Sequence, residues 1–139
     1  MTRSQSLVAA LTADPGVSGL VQTRLYPLVA LPPHAGPALI YKFDVDYAYV
    51  LSGVRDVTGG LEIRSWAPAY EAAHALADAV QAVLMPAGLP KGFSGLLGGA
   101  GGIKTIHCVI EKETEGVVAI SPDVFVFEVI SLYDLKYVL

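Results

Sequence analysis

Cysteine is almost absent from this chain: Cys108 is the only one in 139 residues. A lone thiol excludes an internal disulfide and a cysteine-based zinc cluster, and it predicts a small buried apolar residue rather than a nucleophile. Charge is scarce too, at 16% of residues where about 25% is ordinary. The balance runs acidic, with nine Lys and Arg against 13 Asp and Glu, a net charge of −4 and a pI near 5.2. The basic footprint of a nucleic-acid grip is therefore missing. No apolar run approaches the ~18 residues that span a bilayer. Near the N-terminus, Arg3 is followed by only five consecutive apolar residues, Leu7 to Leu11, short of the ~7–15 of a signal peptide. These absences predict a soluble intracellular protein with no membrane partner.

Apolar side chains are what the sequence has in quantity, at 53%. That composition fills a core and excludes disorder. At roughly 100–200 residues per domain, one domain covering 1–139 is expected. A small domain carries much surface for its volume, and so few charges cover it thinly. The chain reads as a subunit that hides part of its surface against other chains.

Ser4 or Ser6 is placed to cap a short helix with Leu7, Val8 and Leu11 at helical spacing. Asp14-Pro15 starts a second short helix, with Asp14 as its cap and Pro15 in its first turn. Pro32 to Pro37, with His34 and Gly36 inside it, reads as a loop. From Leu39 to Tyr49 the period is two: Leu39, Tyr41, Phe43, Val45, Tyr47 and Tyr49 alternate with Lys42, Asp44 and Asp46, a strand long enough to project from the domain. Ser52-Gly53 begins a turn, Gly59-Gly60 marks a break or bulge, and Leu61 to Trp66 form a second strand. A helix follows from about Ala69 to Leu84, with Ala73, Leu76, Ala77 and Val80 on its apolar face and Glu71, His74 and Asp78 on the other. Met85 to Gly102 holds seven glycines, too long for an ordinary connection, and is expected to be flexible, either disordered or ordered by a partner. Strand signals return at Ile103 to Ile110, Glu-Lys-Glu-Thr-Glu-Gly (111–116) reads as a solvated hairpin end, and Val124 to Tyr133 is apolar on both faces apart from Glu128. Such a strand is covered on both sides, here by the Ala69–Leu84 helix and by the N-terminal helices or a neighbouring subunit. The expected fold is α+β: an antiparallel sheet of about four strands packed by one main helix, with short N-terminal helices.

Catalytic and cofactor signatures fail one by one. The glycine-rich run 92–102 lacks the Gly-Lys-Ser/Thr of a P-loop, and Lys104 stands where the third glycine of a dinucleotide fingerprint would fall. Ser94 lacks the flanks of a nucleophile elbow. His34, His74 and His107 are scattered; only His74 has carboxylates at helical offsets, Glu71 and Asp78, which reads as a solvated ion-pair face rather than a metal site. Asp44 and Asp46 share a strand face, where a carboxylate-pair catalyst is conceivable, but Lys42 beside them favours a charged surface. No catalytic residue, cofactor or metal is expected. Trp66, on the polar face of its strand, signals a helix laid over it or an interface anchor.

Three segments resemble the tail-completion, or tail-terminator, proteins of long-tailed phages and prophages. They are Leu11 through Arg24-Leu25-Tyr26-Pro27; Pro37-Ala38-Leu39-Ile40-Tyr41; and Leu61-Glu62-Ile63-Arg64-Ser65-Trp66-Ala67 followed by Tyr70-Glu71-Ala72-Ala73. The resemblance implies a hexameric ring at the head-proximal end of the tail tube, assembled in the host cytoplasm. There it would stop tube polymerisation, meet the tail tube protein and the head-completion or connector proteins, and let DNA pass without specific binding. Candidate assembly-interface residues are Trp66, Tyr47, Tyr49, Lys91, Phe93, Phe125 and Phe127. The competing reading is a small α+β ligand-binding module or enzyme that uses a groove between the main helix and the glycine-rich segment.

Overall fold

The structure, a computed structural model, describes residues 2–28, 36–49 and 55–138, the side chains of 46–49 and 55 excepted. His34, most of the Pro32–Pro37 stretch and the Ser52-Gly53 turn lie outside the described residues. The first helix, α1 (Arg3–Ala13), starts earlier than either serine predicted. Thr2 and Gln5 close a reciprocal capping box at its N-terminus, satisfying two backbone donors that the first turn leaves without partners. Ser4 and Ser6 face the rest of the fold instead: the Ser4 hydroxyl bonds the Tyr41 hydroxyl, and buried Ser6 Oγ accepts from Ile103 N at 3.1 Å. Asp14 caps α2 (Pro15–Val21) as expected, its Oδ2 accepting from Val17 N at 3.1 Å.

The sheet has six strands rather than four, in the order β1-β2-β3-β6-β5-β4. Four of them are the expected ones: β2 (Ala38–Tyr49), β3 (Arg55–Ala67), β5 (Lys104–Ser121) and β6 (Val124–Val138). The additions are β1 (Leu25–Pro27) and β4 (Gly95–Leu96), which pair at its two edges. Elements of two or three residues are too short to show a period. Because β1 runs parallel to β2, the sheet is mixed rather than purely antiparallel. Arg24 secures that pairing, donating through Nε to Pro37 O at 2.7 Å and through Nη2 to Leu20 O at 3.1 Å.

Gly59 and Gly60 make neither a break nor a bulge. The β2–β3 register runs residue for residue through Asp44↔Gly60 and Val45↔Gly59, and a Cβ on Gly59 would stand 2.0 Å from Asp44 O. The glycine permits strand contact there, so β3 begins six residues before the predicted start. Glu-Lys-Glu-Thr-Glu-Gly is likewise no hairpin end. β5 continues through it to Ser121, and the turn falls at Pro122-Asp123. β6 extends past the Ala67↔Phe127 pair that ends its contact with β3, so the end of the β5–β6 hairpin stands out as a two-stranded ribbon.

The main helix, α3 (Tyr70–Leu84), lays Ala73, Leu76, Ala77, Val80 and Leu84 on the sheet face that carries Leu61, Ile63, Val129, Tyr133 and Tyr137. The stripe follows helical spacing, and its alanines let the helix lie close. Leu7, Leu11, Val17 and Val21 of α1 and α2 join the same cluster. All three helices therefore share one face. The N-terminal helices do not cover the other side of β6, where Ile130 and Leu132 stay half-buried with no described element across them.

Met85 to Gly102 makes backbone hydrogen bonds to the end of α3 and to β5. Phe93 N donates to Leu84 O at 2.8 Å, Leu97 N to Ile103 O at 2.9 Å, and Cys108 N to Lys91 O at 3.0 Å. Leu97 is buried in the core cluster, with Phe93 packed against it. Cys108 is buried as well, and burial, then the Asp134 charge, push its thiol up to about 12.

Candidate assembly surfaces

Three surfaces carry the side chains singled out by sequence. The first is the helix-free face of the sheet. Even-numbered positions of β3 point there, placing Trp66 beside Glu128 of β6 through the Trp66↔Glu128 pair. The indole Nε1 donates to Glu128 Oε2 at 2.6 Å, and Arg64 Nη1 reaches the same oxygen at 3.4 Å. Glu128 is only 6% exposed, so these donors meet the requirement that a buried carboxylate be paired. Partial burial works against the Arg64 cation, but its hydrogen bond to Glu62 and the charges of Glu128 and Glu62 hold its pKa above the usual arginine value. Among the described residues no helix covers Trp66, and its indole is bonded to a carboxylate.

The second surface is the outstanding end of the β5–β6 hairpin with the start of α3. Phe125 is 57% and Val117 61% exposed. Phe127 meets Tyr70 edge-on at 5.9 Å between ring centroids. Glu115 Oε2 receives the Tyr70 hydroxyl at 2.9 Å and lies 2.6 Å from His74 Nε2. His74 therefore pairs across to β5 rather than with Glu71 or Asp78 on its own helix. An open recess of about 210 Å³ lies among Tyr70, His74, Glu115, Val117 and Phe127.

The Tyr70 hydrogen bond, then the one with His74, holds the Glu115 carboxyl below its ordinary range, while the hydrogen bond to Glu115 raises the Tyr70 phenol. A carboxyl depressed in the fold stabilises above its unfolded pKa and loses that effect as pH falls through the folded value. Acid should therefore loosen this helix–hairpin contact. Tyr70→Phe should move the Glu115 titration, followed by carboxyl-carbon NMR, back toward the ordinary value. An unmoved titration would assign the shift to another cause.

The third surface is the glycine-rich segment beside β5. Lys91 is exposed there, whereas Phe93 turns half its ring onto the core. The side chains of Tyr47 and Tyr49, at the end of β2 paired with the start of β3, lie outside the described residues. The structure thus distributes five of the seven candidates: Trp66 on the bare sheet face, Phe125 and Phe127 at the hairpin end, Lys91 and Phe93 at the far end of α3. What sequence missed is the Tyr70–His74–Glu115 cluster, whose members are 41 and 45 residues apart in the chain and have no common motif.

Among the described residues no group of three His, Cys, Asp or Glu side chains could hold a metal ion. His107 pairs with Asp134 at 2.9 Å, and exposed Asp44 lies beside exposed Lys42. Leu97 of the glycine-rich segment lies in the core cluster with Phe93 packed against it, and an open recess at the C-terminal end of α3 is lined by Asp78, Gln81, Ala82 and Met85. Among the described residues no helix is long and apolar enough to cross a membrane.

The segments that carry the resemblance meet at one end of the fold. Leu25 of β1 pairs Leu39 of β2, Ala38 pairs Trp66 of β3, and the chain then enters α3. The family model of tail completion protein gp17 matches residues 5–108 and so takes in all of them. The chain belongs to this family. As a tail-completion protein it is a structural component of a virion tail, not an enzyme. No curated protein matches the sequence. Among solved structures, a chain of the "Virion of native gene transfer agent (GTA) particle" superposes with a TM-score of 0.69 at 19% identity, covering 97% of this chain and 94% of that one. At that identity the likeness is one of fold.

Proposed function

We propose that the chain, acting as one domain over 1–139, assembles into a hexameric ring at the head–tail junction. The ring closes the head-proximal end of the tail tube, stops tube polymerisation, and offers its other side to the head-completion or connector proteins. Membership of the tail-completion family over residues 5–108 carries this reading. The physical support is the surface: few charges, a sheet face bare of helix, and a hairpin end that leaves Val117 and Phe125 in water. Exposed apolar area of this kind marks contact with other chains. Trp66, Tyr47, Tyr49, Lys91, Phe93, Phe125 and Phe127 are the proposed contact residues. Six copies at −4 each make the ring strongly acidic, which suits passage of DNA without specific binding.

Complementation of a phage or prophage that lacks the gene tests the reading. Loss of the protein should yield tails of uncontrolled length and unattached heads. Asp44→Asn, on an exposed strand position, should restore particles. Normal tails joined to heads in the absence of the protein would remove the terminator role.

A further inference from the structure

Charge is segregated along the second half of the chain. Between Ala79 and Ile110 the only Lys, Arg, Asp or Glu residues are Lys91 and Lys104; between Glu111 and Glu128 five carboxylates accompany a single lysine, Lys112. The fold converts this segregation into two apolar patches with opposite rims. Along the edge of β5 nearest β4, Leu89, Leu96 and Ile106 are 43%, 50% and 39% exposed. Lys91 and Lys104 are both exposed there and neither enters an ion pair among the described residues, while the nearby Asp134 is bonded to His107. At the hairpin end, exposed Tyr70, Val117 and Phe125 are rimmed by exposed Glu71, Glu115 and Asp123.

The patches cannot meet within a subunit. Tyr70 and Glu115 mark the N-terminal end of α3, whereas Leu84, which receives Phe93 N, marks the other. The helix between them has 15 residues, roughly 22 Å. Two surfaces complementary in charge and both apolar, at opposite ends of one rigid body, form a heterologous pair, the kind of contact that closes into a ring when its rotation allows. Complementary rims steer such an encounter and fix its orientation.

We propose that the Lys91/Lys104 edge of one subunit docks on the acidic hairpin end of a second copy, head to tail, around the ring. The proposal rests on the ring reading above and names the surfaces that make it. The recess between Tyr70 and Phe127 then receives an aliphatic side chain from the neighbour's basic edge. Glu115 Oε2, already bonded to Tyr70 and His74, leaves its second oxygen for a lysine.

The test uses charge reversal in cells that produce particles, with ring content read by electron microscopy and by the amount of the protein in purified particles. K91E/K104E and E115K/D123K should each lower incorporation at least about tenfold through like-charge opposition, and the fourfold variant should recover to near the wild-type level. Circular dichroism of the purified variants checks folding; K91Q/K104Q and E115Q/D123N replace any reversal that unfolds, with a smaller loss expected. A normal ring in either reversed pair, or no recovery in the fourfold variant, overturns the proposed contact while leaving the ring reading in place. Wild-type particles with no ring of this protein overturn both.

Discussion

Leu76→Asp should leave no soluble subunit. Leu76 is fully buried in the cluster where α3, the N-terminal helices and the sheet meet, and no cation among the core residues is placed to pair with a carboxylate there. The effective penalty for an unpaired buried charge is on the order of 5 kcal/mol, before the lost leucine contacts are counted. Domains of this size carry about 5–15 kcal/mol of total stability, so the substitution takes most or all of it. Expression should yield insoluble protein, or a soluble fraction without a cooperative thermal transition. Asp78→Asn, on the exposed side of the same helix, is the control and should melt within a few degrees of wild type. A cooperatively folded Leu76→Asp protein would mean that α3 does not lie on the sheet as described.

That helix was legible because its burial is one-sided and its period shows in the letters. The same holds for β2, where Phe43 and Val45 alternate with exposed Lys42 and Asp44, and for the cap at Asp14. What sequence concealed has three physical origins. The first is that composition and geometry diverge at Glu111 to Gly116. A run of carboxylates and glycine resembles a turn, yet past its short pairing with β4 the strand β5 is the edge of the sheet, where residues 111–116 are all exposed and charge costs a strand little. The second is competition between neighbouring caps: Thr2-Arg3-Ser4-Gln5 spells a capping box beside two serines of equal capping chemistry, which the fold turns toward Tyr41 and Ile103. The third is distance along the chain. Trp66 and Glu128, or His74 and Glu115, become neighbours only through sheet register and the packing of α3 on β5, and a one-residue slip would send every partner to the opposite face.

Gly92→Ala should be the most damaging small substitution in the glycine-rich segment. Gly92 has φ +70°, and a Cβ there would lie 1.7 Å from Cys108 O and 2.7 Å from its carbonyl carbon. Holding a non-glycine residue in the left-handed region costs about 1–3 kcal/mol. The contact adds to that cost, because both atoms belong to the backbone of β5 and cannot swing away. Relief requires the segment to lift from β5, which strains the bonds Phe93 N to Leu84 O and Cys108 N to Lys91 O and draws Phe93 and Leu97 off the core. Gly88→Ala separates the two effects: its φ is +84°, but nothing lies within 4 Å of the added carbon. At roughly 4 °C of melting temperature per kcal/mol, Gly88→Ala should lower the midpoint by several degrees. Gly92→Ala should lower it by clearly more, with faster hydrogen exchange at Phe93 and Cys108. Equal losses in the two variants would mean that the segment rests on β5 too loosely to feel a methyl group, and that its order comes from a partner after all.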